Sequence, residues 1–538
     1  MAAKTILDAL ASAARRIGDQ PAVKGQPDVA NIPGVGPVAV GGSSQIDSVA
    51  RRLSEETGIP YTQVRDYVQP DPRFASAVAD EYSLMRHSPD DPDVRQAYKA
   101  LADETLDQYE AMLSAGVKPY FIRGADPYQN SPYLSLLDLT ENNRLGVFPT
   151  RSGFGSDEAF DPSGNPLLAQ TEFMIDGEPV LVNDAFRAVH DYFGHGKGGF
   201  GFRAAGEENA YRAHSGMYSD AARRAAASET RGQNSWLNFG PYGQTNRTAG
   251  IDDTVFADQK TGLLPNWAVM QGTPTANARR EDFFRYAQSS RGGDRIAPIV
   301  GALTPEGNLR LVHYGRESYE RTDPTLYGKG LSGRTREEAQ RASDPDFVQR
   351  TYFGIEGTDK TYKPEFGLAG REATQTEIPI EQVYDLQGDP EGLFKELNKK
   401  PLNPADRATQ QEKIIRDKGY SGYFVRHPKL GDVASIFDPL RKGFTHTVRM
   451  VAPVAPVAGA GILGAVGMGG SSEVNASALP GGLTRPSARK VREGIERQQA
   501  SQSASGVTSI LDLLDPAFIM PQALGDATMD AYNREQIR

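Results

Sequence analysis

Residues 183–195 read NDAFRAVHDYFGH, and the periodicity of this stretch sets the architecture expected for the first half of the chain. Phe186, Val189, His190 and Phe193 recur at the three- and four-residue spacing of one helix face, so the helix is expected to bury His190 within its apolar stripe. Asn183 is suited to cap the helix start. Gly194 is suited to end it in a left-handed turn, which would let His195 fold back beside His190. Two more helices are expected downstream. In GEENAYRAHSGMYS (206–219), Glu207, Tyr211 and His214 share a face. In DAARRAAASETRGQ (220–233), Ala222, Ala225, Ala226 and Glu229 share one whose small side chains permit close helix approach.

Three of the seven histidines, His190, His195 and His214, therefore sit on short neighbouring elements. Neutral imidazoles with one carboxylate suit iron(II) or zinc and leave coordination positions open. Alternatively, His190 is a hydrogen-bonded core histidine, and Glu207 and Glu229 are solvated or paired with Arg203 and Arg231. Arg151, Phe154, Arg231, Gln233, Asn234 and Trp236 would suit the walls of a cleft. On the plainer view Trp236 and Trp267 are core and Arg231 pairs Glu229.

The hexapeptide His190-Asp191-Tyr192-Phe193-Gly194-His195 resembles the His-Glu-Leu-Leu-Gly-His signature of the aromatic amino acid hydroxylases. The resemblance implies that His190 and His195 ligate iron and that Glu229, two helices later, is the third ligand. Glu207 and His214, on a facing helix, are the alternate donors. Asp191, at the acidic position of the signature, and Arg231 are the candidate catalytic side chains beside the metal.

At 538 residues the chain exceeds what one hydrophobic core usually serves, so a multidomain protein is expected. The 56 glycines and 36 prolines point to long irregular stretches. A formal net charge of −10 makes the whole molecule repel a polyanion, so nucleic acid is not the expected partner. With no cysteine, disulfides, thiolate metal sites and cysteine nucleophiles are excluded, and a metal must be held by His, Asp or Glu.

The expected order is an N-terminal helix and Gly/Pro-rich linker (1–44), a mostly α-helical metal-site domain (45–292), an α+β domain (298–445) and a disordered tail (446–538). Within the second, Tyr98, Leu101, Thr105, Tyr109 and Met112 mark one face of a helix begun by Pro92 and stopped by Gly116. The break SRGGDRIAP (290–298) precedes a change to short strands at 309–314, 352–355, 382–386, 422–425 and 433–437.

The segments LRLVHYG, DPTLYGKGLSG, TYFGIE, QVYDL, GYSGYFV and VASIFDP of that domain resemble the ADP-ribosyltransferase-like domains of phage polyvalent proteins. The resemblance implies an α+β fold with a split β-sheet and NAD as cofactor. His313 would hold ribose and Tyr352 would stack on nicotinamide, with Tyr314 beside them. Glu381 is the distant substitute for the carboxylate that such enzymes use. It also implies delivery in the virion to the host cytoplasm, with virion or host proteins as partners. The rival expectation is a non-catalytic virion structural or ejection protein with relic enzyme domains. In the tail, basic residues flank the apolar run 450–468, an order across 441–497 suited to weak contact with an anionic membrane. A flexible linker ending in a docking helix is the plainer alternative.

Overall fold

A computed structural model of the chain describes residues 29–32, 36–39 and 42–448, apart from 62, 65–66, 124–131, 154–163, 247–248, 250–252, 316–317, 327–345, 359–371 and 428–430. The expectations for the N-terminal helix, for Phe154, for most of DPTLYGKGLSG and for the tail with its apolar run lie outside these residues. The described chain forms two units, the first ending at Leu264 and the second spanning Pro265–Thr447.

The first unit is mostly helical. Within the expected linker, β1 (Val29–Ile32) and β2 (Gly36–Ala39) pair as an antiparallel hairpin. Helix α1 (Ser44–Thr57) starts at Ser43, whose side chain accepts from the Ile46 amide, and stops at Gly58 with φ 72°. It buries Ile46, Val49, Ala50 and Leu53. After α2 (Pro72–Leu84) comes α3 (Pro92–Ser114), capped by Asp91 and stopped at Gly116 with φ 91°. The expected stripe of α3 is buried, and Gln108 is buried with it.

Strands β3 (Lys118–Phe121) and β4 (Arg144–Val147) form a parallel pair joined through α4 (Pro132–Asn142). Strands β5 (Gln170–Ile175) and β6 (Glu178–Leu181) form a hairpin. Its turn residues Asp176 (φ 50°) and Gly177 (φ 81°) are both left-handed, the geometry an Asp-Gly turn favours. Helices α5 (Val182–Val189), α6 (Ala204–Ser215), α7 (Asp220–Ala227) and α8 (Gln233–Phe239) follow. Phe186 of α5, Tyr98 and Leu101 of α3, and Ala222, Ala225 and Ala226 of α7 share one buried cluster, so the small face of α7 packs as its sequence implied.

The second unit begins 33 residues before the expected start at 298, with α9 (Asn266–Met270), α10 (Pro274–Ala287) and α11 (Gly293–Ala302). Trp267 explains the shift: it is fully buried and donates Nε1–H to the Pro439 carbonyl at 3.1 Å, while Asn266 donates to the Tyr420 carbonyl at 2.8 Å. The strands are β7 (Asn308–Gly315), β8 (Thr351–Ile355), β9 (Glu372–Pro379), β10 (Val383–Asp385), β11 (Gly422–His427) and β12 (Gly431–Ile436). They form one mixed six-stranded sheet in the order β10-β11-β12-β8-β7-β9, where a split sheet was expected. The seam between β7 and β8 is narrow, with only Leu311↔Ile355 and Val312↔Gly354 in register.

Only β10 and β11 run parallel, with α12 (Pro404–Asp417) between them in the chain. The central strands β8 and β12 are buried along their whole length, as expected of a sheet covered on both faces. His446 is buried against Trp267 and Glu377, so this unit extends slightly past the expected 445. Among the described residues no helix is long and apolar enough to cross a membrane.

Candidate metal centre

Helix α5 does not end at Gly194. It continues as a π-helical segment, His190–Gly196. In an α-helix, residues three or four apart share a face; a π-helix bonds i to i+5 and, with more residues in each turn, swings residues five apart toward one side. That widening sets the His190 and His195 rings 5.0 Å apart and perpendicular, without the left-handed turn expected at Gly194. Gly194 still matters, because a Cβ there would lie 3.2 Å from both His190 Nδ1 and the Ala210 carbonyl of α6. Asn183 is not the cap either. Asp184, one residue later, reaches back to accept from the Leu181 amide at 2.9 Å and from the Thr150 amide at 2.7 Å.

Glu207, in the first turn of α6, completes the group. Its Oε2 lies 3.5 Å from His190 Nε2 and 3.4 Å from His195 Nε2, and the three candidate ligand atoms all fall within 4.8 Å of one another. The His195 side chain is 0% exposed and that of Glu207 27%, so the site opens on the carboxylate side. His195 directs Nδ1 to the Phe200 carbonyl at 3.0 Å, which makes Nδ1 the donor and leaves a lone pair on Nε2. The Nε2 atoms of both histidines are buried and have no hydrogen-bond partner among the described residues. Two orphaned imidazole nitrogens beside a carboxylate oxygen fit the donor set of a divalent transition ion. Phe202 covers His195 in a parallel stack at 4.0 Å.

The electrostatics agree. Burial opposes the charge of Glu207, but His195 and His190 outweigh it and hold the carboxyl below its usual range. Burial likewise works against a proton on His195, and the Glu207 carboxylate more than offsets it, so the pKa of His195 is raised. A metal ion binds only the deprotonated Nε2, so uptake would release any proton held there. Asp191 is pushed up to about 6, chiefly by burial and also by Glu207, with His195, His190 and Arg187 opposing.

Glu229, expected as the third ligand, is not brought to the pair. It lies in a second π-helical segment, Ser228–Gly232, where Tyr98 Oη donates to Oε1 at 2.6 Å and Gln233 Nε2 donates to Oε2 at 2.8 Å. Burial pushes its carboxyl up to about 7, against the two hydrogen bonds and the charge of Arg187. Because the unfolded carboxyl titrates near 4.5, the folded chain holds this proton more tightly, and the associated stability is complete below that pH and lost toward about 7. Glu229→Gln is neutral throughout and should abolish that decline. Its advantage over the parent chain is expected to grow from near zero at about pH 4.5 to on the order of 1–3 kcal/mol at about pH 8. Denaturant unfolding at several pH values, with Trp236 reporting on this unit, is the check; parallel pH profiles would contradict it.

His214 is an outer partner, with Nδ1 3.2 Å from His190 Nδ1. Arg231, expected to be catalytic, is buried in an ion pair with Glu208 and lies 4.3 Å from the Tyr211 ring centroid, a packing role in place of a cleft one. Trp236 is core and donates to Ser83 at 3.1 Å. Asn234 bonds the Ala204 carbonyl at 3.2 Å, and Arg151 is exposed.

In the second unit, His313 and Tyr352 meet across the β7–β8 seam. His313 Nδ1 donates to the Tyr352 carbonyl at 2.9 Å, and burial lowers its pKa to about 4. The Tyr352 ring belongs to a closed hydrophobic cluster, and its hydroxyl accepts from Arg350 at 3.0 Å. Tyr352 itself is 1% exposed. Tyr314 is partly buried against the same cluster, and Glu381 is buried 3.6 Å from Arg280.

Compared with known proteins, the chain matches no family model, no curated protein and no solved structure.

Proposed function

We propose that the first unit is a metal-dependent enzyme centred on His190, His195 and Glu207, taking a divalent ion, iron before zinc. The observation that carries this is the pair of buried, unpartnered Nε2 atoms converging on one carboxylate oxygen. Two imidazoles and one carboxylate on one side of an ion leave positions open to other ligands, the donor set of non-haem iron(II) enzymes. When bound, the ion would supply Lewis acidity and those open positions. The chain's own groups do the rest: Glu207 offsets part of the ion's charge, and Phe202 shields His195 from water.

Elemental analysis and anaerobic titration with Fe2+ and Zn2+ test this reading. About one ion per chain is expected, with His195→Ala abolishing it. Unchanged metal content in His195→Ala and His190→Ala would refute it.

For the whole chain we retain the reading of a phage-type polyvalent protein, carried in the virion and acting in the host cytoplasm. Its support is the pairing of this helical unit with an α+β unit that carries the segments of the ADP-ribosyltransferase resemblance. The burial of His313 and Tyr352 favours a second unit that neither binds NAD nor transfers ADP-ribose, a relic domain attached to a working one. Isothermal titration with NAD is expected to give no heat; saturable binding lost in Tyr352→Ala would reverse that view.

A further inference from the structure

Resting on the metal-centre reading, we propose that Gln108 and His214 are positioning residues that lock His190 in the one tautomer able to bind an ion through Nε2. The relay starts from a buried amide in α3. Gln108 Nε2 lies 3.3 Å from the Met217 carbonyl, which can only accept, so the amide nitrogen donates there and Oε1 faces the other way. Oε1 is 2.7 Å from His214 Nε2. That nitrogen must therefore carry the hydrogen. A neutral imidazole carries a single N–H, so with that hydrogen held on Nε2 the Nδ1 of the buried His214 presents a lone pair. His190 Nδ1, 3.2 Å away, then has to donate. The lone pair of His190 is thereby left on Nε2, aimed with that of His195 at Glu207.

The reverse arrangement is disfavoured because it would set Gln108 Oε1 against the Met217 carbonyl, two acceptors with no hydrogen between them. The ring planes are held as well. Tyr218 lies 4.7 Å from His214 between centroids, and Phe186 stacks on both His190 and His214 at 6.2 Å. Outer partners of this kind fix the orientation and basicity of a ligating histidine. In this role His214 is the neighbour of a metal ligand and not itself a donor.

The test uses the full chain labelled with 15N-histidine, metal-free, with His190 and His214 assigned from His190→Gln and His214→Gln variants. Two-bond 1H–15N correlations are expected to report His190 as the Nδ1–H tautomer and His214 as Nε2–H. Gln108→Leu removes the acceptor and should give mixed tautomers at both rings, a roughly 10-fold weaker Co2+ affinity and an altered Co2+ visible spectrum. Gln108→Glu, whose protonated form accepts from His214 and donates to Met217, should restore the parent pattern. His190 carrying its hydrogen on Nε2 in the parent chain would overturn the relay even if Gln108→Leu fails to fold. The expected tautomers without Co2+ or Fe2+ binding would overturn the metal-centre reading and the positioning role with it. Metal binding with the wrong tautomers would overturn the relay alone.

Discussion

Glu207→Gln is expected to weaken Fe2+ or Zn2+ binding by about 100-fold or more, whereas Glu229→Gln leaves it unchanged. Glutamine keeps the length and most of the hydrogen bonding of Glu207 but loses the negative charge that stands 3.5 Å and 3.4 Å from the two Nε2 atoms. A neutral site of two imidazoles and an amide holds a divalent cation poorly. Changing an outer partner alone typically costs 10- to 100-fold, so a direct donor should reach at least the upper end of that range. Glu229 has no such role, because Tyr98 and Gln233 already occupy its oxygens. Competition against a chromophoric chelator measures both variants in one assay. Loss of metal in Glu229→Gln with retention in Glu207→Gln would reverse the ligand assignment, and retention in both would remove the carboxylate from the centre.

The second large effect is expected in the other unit, where Arg350→Met should cost about 3–5 kcal/mol. Arg350 and Glu412 form an ion pair with both side chains 0% exposed. Arg350 also donates to Tyr352 Oη, and Tyr423 Oη donates to Glu412 at 2.8 Å. Removing only the guanidinium leaves a buried carboxylate without its counter-charge, and the desolvation penalty then falls on the folded state unopposed. For a unit of this size the loss should lower the melting temperature by roughly 6–20 °C, followed by fluorescence with Trp267 as the local reporter. Arg350→Met with Glu412→Leu removes both charges and should recover most of the loss, because an apolar pair of similar volume often matches a buried ion pair. A single variant as stable as the parent chain would mean that the pair contributes no net stability.

Patterns that depend on near neighbours were legible in the sequence. The stripe of α3, its stop at Gly116, the small-residue face of α7 and the burial of His190 all follow from spacing along one chain segment, where helix geometry alone relates the residues. The strands at 309–314, 352–355 and 422–425 were legible for the same reason. The sequence holds one further informative signal. Gln108 falls on the apolar stripe of α3, and a polar group at a buried position needs a partner, here His214. The Asp176-Gly177 dipeptide was another, since it marks the hairpin of β5 and β6.

What the sequence by itself determined is thus the place of His190 on the buried face of a helix with His195 close after it, the want of cysteine ligands, and the helical-then-stranded order of the chain. Only the tertiary structure decided which carboxylate meets the histidines. Glu207 and Glu229 lie on helices of similar pattern, and the choice rests on packing: α6 carries Glu207 onto the π-helical turn, while Tyr98, from distant α3, takes Glu229. The π-helix itself is a tertiary outcome, because a local pattern of three and four does not show where one extra residue enters a turn. The same holds for the start of the second unit at Pro265, set by the burial of Trp267 beneath Pro439, and for the fate of His313 and Tyr352. Their motifs name the chemistry these side chains could perform, but whether a side chain faces a ligand or a core is fixed by elements far away in the chain, which no local spacing records.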